Sequence, residues 1–256
     1  RRTKFRMIKF LKISLSFCVT LFSAILVLPL CLLRPFNLKN ATIFCKLMSP
    51  LSLKILGTHF EKRDFYHLEK NQPAIIIANH QHTFDIFTMS PNHSRATIAY
   101  VGKKSLALIP FMGWVFWLSG EFLLDRKNHH NAMATLDKAK KFISQTGSSL
   151  WLMPEGTRSW TKGMGEFKKG AFNLSLQLNL PIIPVVYSSY SKSFQLNSFK
   201  RSNVIAQALP PFSPDKYKKE SLLNYIDDVR NEMIRIQKQL DEEIMSLKST
   251  TSFENV

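Results

Sequence analysis

The chain has 256 residues, 45% of them hydrophobic and 21% charged, enough apolar material for one sizeable core or two small ones, which excludes intrinsic disorder. Lys and Arg number 35 against 18 Asp and Glu, a net charge of +17, and such a surplus predicts an anionic partner: phosphate esters, nucleic acid or a lipid surface. Only Cys18, Cys31 and Cys45 occur, all in the first quarter, so no disulfide framework, zinc site or thiol nucleophile is expected and the chain reads as intracellular.

Residues 1 to 60 hold ten basic residues and no acidic one. Within them, Ile13 to Leu33 is an uncharged run of 21 residues, which as a helix spans roughly 32 Å against a hydrocarbon core of about 30 Å. The run is too long for a signal peptide and lacks a small-x-small cleavage site, so a lasting anchor is expected. Basic residues flank it on both sides, and a simple span leaves the positive-inside rule unsatisfied at one end. A second apolar stretch, Ala41 to Gly57, carries Lys46 and Lys54 on nearly one helical face with Pro50 between them. Two helices dipping into one leaflet keep both basic flanks on anionic headgroups. A monotopic hairpin over residues 1–58 is therefore preferred to a single span.

From residue 59 the pattern changes to short apolar runs between helical stretches. Ala74–Ala78, Ala96–Val101, Glu121–Leu124, Ser149–Met153, Ile182–Tyr187 and Val204–Leu209 read as strands, several of them apolar on both faces as buried parallel strands are. Asn131–Gln145 and Gly170–Asn179 have helical periodicity. The alternation predicts an α/β domain over 59–256, with a mixed, largely parallel sheet flanked by helices. In the tail, Lys219 to Lys248, Ile226, Val229, Met233, Ile236, Leu240, Ile244 and Leu247 recur at three- and four-residue steps, an amphipathic helix packing back on the domain.

The first of these strands runs into Asn79-His80-Gln81-His82-Thr83-Phe84-Asp85. Open α/β sheets bind ligands outside the carboxyl ends of their strands. With Asp85 in the first turn of the next helix, its carboxylate can take one imidazole nitrogen of His80 and leave the other free as a general base. His82 makes a His-x-His pair with His80, but no carboxylate or cysteine set completes a metal shell, so no metal is expected.

Further blocks follow in order: Val101-Gly-Lys103-Lys104-Ser-Leu106 with Ile109-Pro-Phe-Met-Gly-Trp114, Gly120-Glu-Phe-Leu-Leu-Asp-Arg126, Met153-Pro-Glu155-Gly156-Thr157-Arg158, Phe167-Lys168-Lys169-Gly170 and Leu180-Pro-Ile-Ile-Pro-Val185. With the His80–Asp85 segment, they resemble the ordered blocks of the glycerolipid acyltransferases, and in detail the bacterial 1-acylglycerol-3-phosphate branch, over roughly residues 60 to 213. His82 departs from the pattern, standing where a small hydroxyl residue is common.

The resemblance implies transfer of an acyl chain from acyl-carrier protein or coenzyme A thioesters to lysophosphatidic acid, giving phosphatidic acid in phospholipid synthesis. It implies no cofactor, anionic membrane lipids rather than nucleic acid as the surface partner, and a domain on the cytoplasmic side of the inner membrane. His80 and Asp85 are the expected catalytic pair. Arg158 follows a Pro-Glu-Gly-Thr turn at a strand end, where Gly156 permits a tight backbone and a planar guanidinium can grip a phosphate bidentately. Lys103 and Arg126, also just past strands, are expected on the same anion. Glu155 either orients the acceptor or braces an arginine, and with Gly156 and Thr157 it joins Lys103, Arg126 and Arg158 as the expected substrate-binding residues. No Gly-x-Ser-x-Gly elbow, phosphate loop or dinucleotide fingerprint is present, which leaves direct transfer as the simplest chemistry.

Overall fold

Alternation at period two explains why the central strands are apolar throughout. In β2 (Ile75–Ala78), Ile75 and Ile77 enter one core while Ile76 and Ala78 enter another, and all four are completely buried. Such a strand needs cover on both faces. The computed structural model, which describes residues 2–89, 97–124, 132–190, 196–198 and 201–253, supplies it.

Among the described residues seven strands form one sheet: β1 (Thr58–Arg63), β2, β3 (Ile98–Lys103), β4 (Phe122–Leu124), β5 (Ser149–Leu152), β6 (Ile182–Tyr187) and β7 (Ser202–Ala208), in the order β1-β7-β6-β2-β5-β3-β4. Every neighbouring pair is parallel except β6 with β7. The sheet is mixed and largely parallel, as the pattern predicts. One edge strand was not expected: β1, Thr-His-Phe-Glu-Lys-Arg, is too charged to read as a strand and pairs on one side only, with β7.

On one face lie α6 (Ala132–Thr146), α7 (Gly170–Leu178), the short α8 (Pro214–Tyr217) and α9 (Leu222–Phe253). Helix α9 buries Ile226, Val229, Met233, Ile236, Leu240 and Ile244, whereas Leu247, expected on the same stripe, is half exposed. The opposite face carries α3 (Tyr66–Lys70), α4 (Asp85–Met89) and α5 (Met112–Leu118), the last preceded by a 3-10 turn at Lys104–Leu108. Gly113 is required there, because a Cβ would meet the Leu106 carbonyl oxygen at 2.1 Å.

Outside this layer, α1 (Arg2–Leu33) and α2 (Lys39–Leu56) form an antiparallel hairpin that packs on α4 and α5 around Ala24, Val27, Cys31, Phe44, Met48, Leu53, Leu56, Phe87 and Val115. Arg6–Leu33 is long and apolar enough to cross a membrane. Its polarity is inverted relative to a helix of a water-soluble core. Lys12, Ser16, Thr20, Ser23 and Ala24 are buried, while Phe10, Leu11, Phe17, Phe22, Ile25, Leu26 and Leu33 face outward, the arrangement of helices that associate through small residues in an apolar solvent.

Both ends of the hairpin are tied to the α/β unit. Lys12 Nζ donates to the Leu56 carbonyl (3.2 Å), at the C-terminus of α2, and to the Ser198 carbonyl (2.8 Å). At the other end the Phe36 N–H donates to Leu118 O (2.6 Å) and the Phe36 ring meets Trp117 edge-on at 6.0 Å. The hairpin thus lies along the domain rather than projecting from it.

Candidate active site

The candidate catalytic segment is fixed by the two amides that bracket His80. Asn79 donates from Nδ2 to Tyr187 O (3.0 Å) and accepts the Tyr187 N–H at Oδ1 (2.8 Å). Gln81 donates from Nε2 to Ser188 O (2.8 Å) and accepts the Tyr190 N–H (3.1 Å). Side-chain amides thereby continue the pairing of β2 with β6 beyond the last strand residue. On the other side, the Ser159 and Trp160 N–H groups donate to the His80 and Gln81 carbonyls at 2.8 and 3.0 Å. The segment 79–81 is thus held on one side by the end of β6 and the residues after it and on the other by the chain that follows β5.

The ring is held as well. His80 Nδ1 is bonded to Asp85 Oδ2, and the same carboxylate accepts the Gln81 N–H at Oδ2 (2.9 Å) and the His82 N–H at Oδ1 (3.0 Å). Asp85 is therefore both the partner of the imidazole and the staple of the turn that carries it. Its side chain is 6% exposed, against 19% for His80, so the carboxylate is shielded while the imidazole reaches the surface. With Nδ1 taken, Nε2 is the nitrogen left to act on a substrate.

Glu155 binds neither an arginine nor open space. Its Oε1 accepts the His80 N–H (2.7 Å) and its Oε2 the Gly165 N–H (2.8 Å). Burial pushes this carboxyl above the usual range, and the two N–H donors pull it part of the way back. Among the alternatives for Glu155, this geometry is that of a brace on the catalytic backbone.

Past β5 the chain turns at Gly156, whose φ of 69° suits glycine, and leaves Thr157 and Arg158 exposed. The Arg158 guanidinium sits over the Trp160 ring at 5.8 Å. Trp160 in turn meets the His82 ring edge-on at 4.9 Å, and Phe84 lies against the other side of His82 at 4.7 Å. Burial lowers the His82 pKa, so this imidazole is a neutral wall of the site. Lys103 ends β3, the strand beside β5, and is exposed. Arg126 lies outside the described residues.

Residue-type reasoning missed Asn79 and Gln81, whose signal was two amides flanking a histidine at the end of an apolar strand. It also missed Lys168, whose side chain lies over the turn: a Cβ on Gly156 would meet its Nζ at 2.9 Å.

A buried carboxylate behind a surface histidine, at the carboxyl ends of a largely parallel sheet, is an arrangement suited to an α/β enzyme that uses an imidazole as a base. Residues 59–188 match the family model described as Acyltransferase, and the chain belongs to that family. It is 36% identical over 214 residues to the 1-acyl-sn-glycerol-3-phosphate acyltransferase of Escherichia coli K12, covering 84% of this chain and 86% of that protein. Its identity to the protein of the same name from Haemophilus influenzae is 33% over 241 residues, covering 93% and 98%. In fold it is similar to the crystal structure of the 1-acyl-sn-glycerophosphate (LPA) acyltransferase from Thermotoga maritima, with a TM-score of 0.68 at 20% identity over 97% of this chain and 98% of that one.

Proposed function

We propose that the chain transfers an acyl group from an acyl-carrier protein or coenzyme A thioester to the free hydroxyl of 1-acylglycerol-3-phosphate, giving phosphatidic acid for phospholipid synthesis. The observation that carries this reading is the His80–Asp85 pair, set at a strand end next to the Gly156–Arg158 turn, in a chain whose relatives bear that name over most of their length.

His80 Nε2 takes the proton of the acceptor hydroxyl as that oxygen attacks the thioester carbonyl. The tetrahedral adduct collapses with cleavage of the C–S bond, and the imidazolium returns its proton to the departing thiolate. An ester forms, a thioester is lost, and nothing is oxidised. Asp85 stabilises the imidazolium electrostatically and keeps its tautomer. Lys103 and Arg158, with Arg126 and Lys168, hold the acceptor phosphate. Glu155, Gly156 and Thr157 shape the turn that presents Arg158.

The hairpin 1–58 anchors the enzyme in one leaflet, with the domain on the cytoplasmic side of the inner membrane, where thioester donors are made. The outward apolar face of α1 supports this, as does its continuation onto the domain: Phe36 (64% exposed), Trp117 (51%), Trp114 and Leu108 (80%) extend the same face along α5 and the 3-10 turn, with tryptophans of the kind that settle at membrane–water boundaries. Lys9, Lys46 and Lys54 are exposed on the two helices, available to anionic headgroups.

The deciding assay supplies the full-length protein with lysophosphatidic acid and each donor and identifies the lipid product by mass. Phosphatidic acid is expected, and its absence with every donor overturns the reading.

A further inference from the structure

Helix α9 lies beyond residues 59–188, yet it reaches the catalytic turn. Arg230, on α9, donates from Nε to the Gly165 carbonyl (2.8 Å) and from Nη2 to the Met164 carbonyl (2.9 Å). The Gly165 N–H donates to Glu155 Oε2, and Glu155 Oε1 accepts the His80 N–H. Three links therefore run from a guanidinium on the C-terminal helix to the peptide nitrogen of the base. Arg230 stands 150 residues from His80 in sequence.

The links are stiff. A planar guanidinium bonded to two successive carbonyls fixes both the position and the tilt of the loop, which a lysine ammonium cannot do. Gly165 approaches Glu155 closely: a Cβ there would lie 3.0 Å from Oε2, so a bulkier residue would have to push against the carboxylate. Glu155 is 4% exposed, and a carboxylate so deeply placed needs both of its N–H donors. If the Met164–Gly165 loop moves, Glu155 loses one donor and its hold on His80 loosens.

We propose that Arg230 is a positioning residue for acyl transfer, which sets the catalytic imidazole through Gly165 and Glu155 without touching either substrate. It rests on the reading of His80 as the general base. It also gives α9 a part in the active site besides covering the sheet.

The test uses the full-length enzyme and the variants Arg230→Met, which keeps an apolar stem, Arg230→Lys, Glu155→Gln and Arg230→Met/Glu155→Gln. Arg230→Met is expected to lower kcat about tenfold with both Michaelis constants within about twofold, and Arg230→Lys to recover only part of the loss. The double variant is expected to be no slower than Glu155→Gln, because both substitutions cut one path. Where Glu155→Gln fails to fold, the acid limb of the pH–kcat profile of Arg230→Met takes its place. Without the Gly165 donor Glu155 takes up its proton at higher pH and then holds the His80 N–H less firmly, so that limb moves to higher pH. Unchanged kcat in Arg230→Met, losses that multiply in the double variant or, in the substitute measurement, an unmoved acid limb overturns the proposal while the wild type remains active. A wild type that turns over no thioester overturns both this and the functional reading beneath it.

Discussion

Replacing Asp85 by asparagine separates the two tasks of that carboxylate. Asp85 accepts from three donors, His80 Nδ1 and the N–H groups of Gln81 and His82, but an asparagine side chain has one carbonyl oxygen. Whichever way the amide turns, at least one N–H faces an NH2 group, and a buried donor left unsatisfied costs about 1–3 kcal/mol of stability. The catalytic loss is larger. Without a negative charge behind it the imidazolium forms less readily, and removing such an orienting carboxylate lowers turnover by about 10²- to 10⁴-fold, or about 3–5 kcal/mol of barrier. Initial rates at saturating lysophosphatidic acid and thioester, together with thermal melts, should show a modest fall in Tm beside a collapse in kcat. Asp85→Asn/His80→Ala should be no slower than His80→Ala alone. Turnover within about threefold of wild type in Asp85→Asn, or multiplicative losses in the pair, would refute the dyad.

Arg158→Ala should raise the Michaelis constant for the acceptor by about 10- to 150-fold, the equivalent of a charge-assisted contact of about 1.5–3 kcal/mol, and leave that for the donor nearly unchanged; equal effects on both would point to general damage. Glu121 is 7% exposed, accepts the Tyr100 N–H, and is pushed by burial well above the ordinary carboxylate range. It is neutral in the fold over a pH window where the unfolded chain ionises, so its contribution to stability is full at acid pH and falls by at most about 1.4 kcal/mol per pH unit as pH rises. Glu121→Gln should therefore show a flatter Tm–pH curve as pH rises above the ordinary carboxylate range, and parallel curves would contradict this. In vesicles containing brominated phospholipid, fluorescence of Trp114 and Trp117 should be quenched while that of Trp151, buried beneath the sheet face, persists; unquenched Trp114 and Trp117 would remove α5 from the membrane face.

The central strands were legible because burial on both faces leaves unbroken apolar runs, and the pairing of His80 with Asp85 because a histidine and an aspartate five residues apart sit just past one of them. The largely parallel sheet followed from the same runs, but which pair runs antiparallel did not. β7 runs against β6 and β1 runs with β7, and neither strand's composition encodes this. In α1 the uncharged run was plain, but composition does not say which face is covered. Only packing shows that the serines and Lys12 turn inward. The brace from Arg230 was invisible for a further reason: its partners are backbone carbonyls, which carry no residue identity, at positions 164 and 165, far away in sequence. Glu155 likewise binds N–H groups that any residue would offer.

The contact between α2 and α4 has a practical side. Ser49 Oγ donates to the Phe87 carbonyl, and Phe87 and Val115 are buried in the cluster they share with the hairpin. Helix α4 is a single short turn that begins with Asp85, so the surface that holds it from outside belongs to the first 58 residues. Trimming those residues to obtain a detergent-free protein would uncover an apolar patch behind the helix that begins with Asp85. A shortened protein with poor turnover would then report a disturbed His80–Asp85 turn as well as the loss of the apolar hairpin. Preparations for structural or kinetic work are better made with the hairpin retained and shielded by a nanodisc than with it cut away.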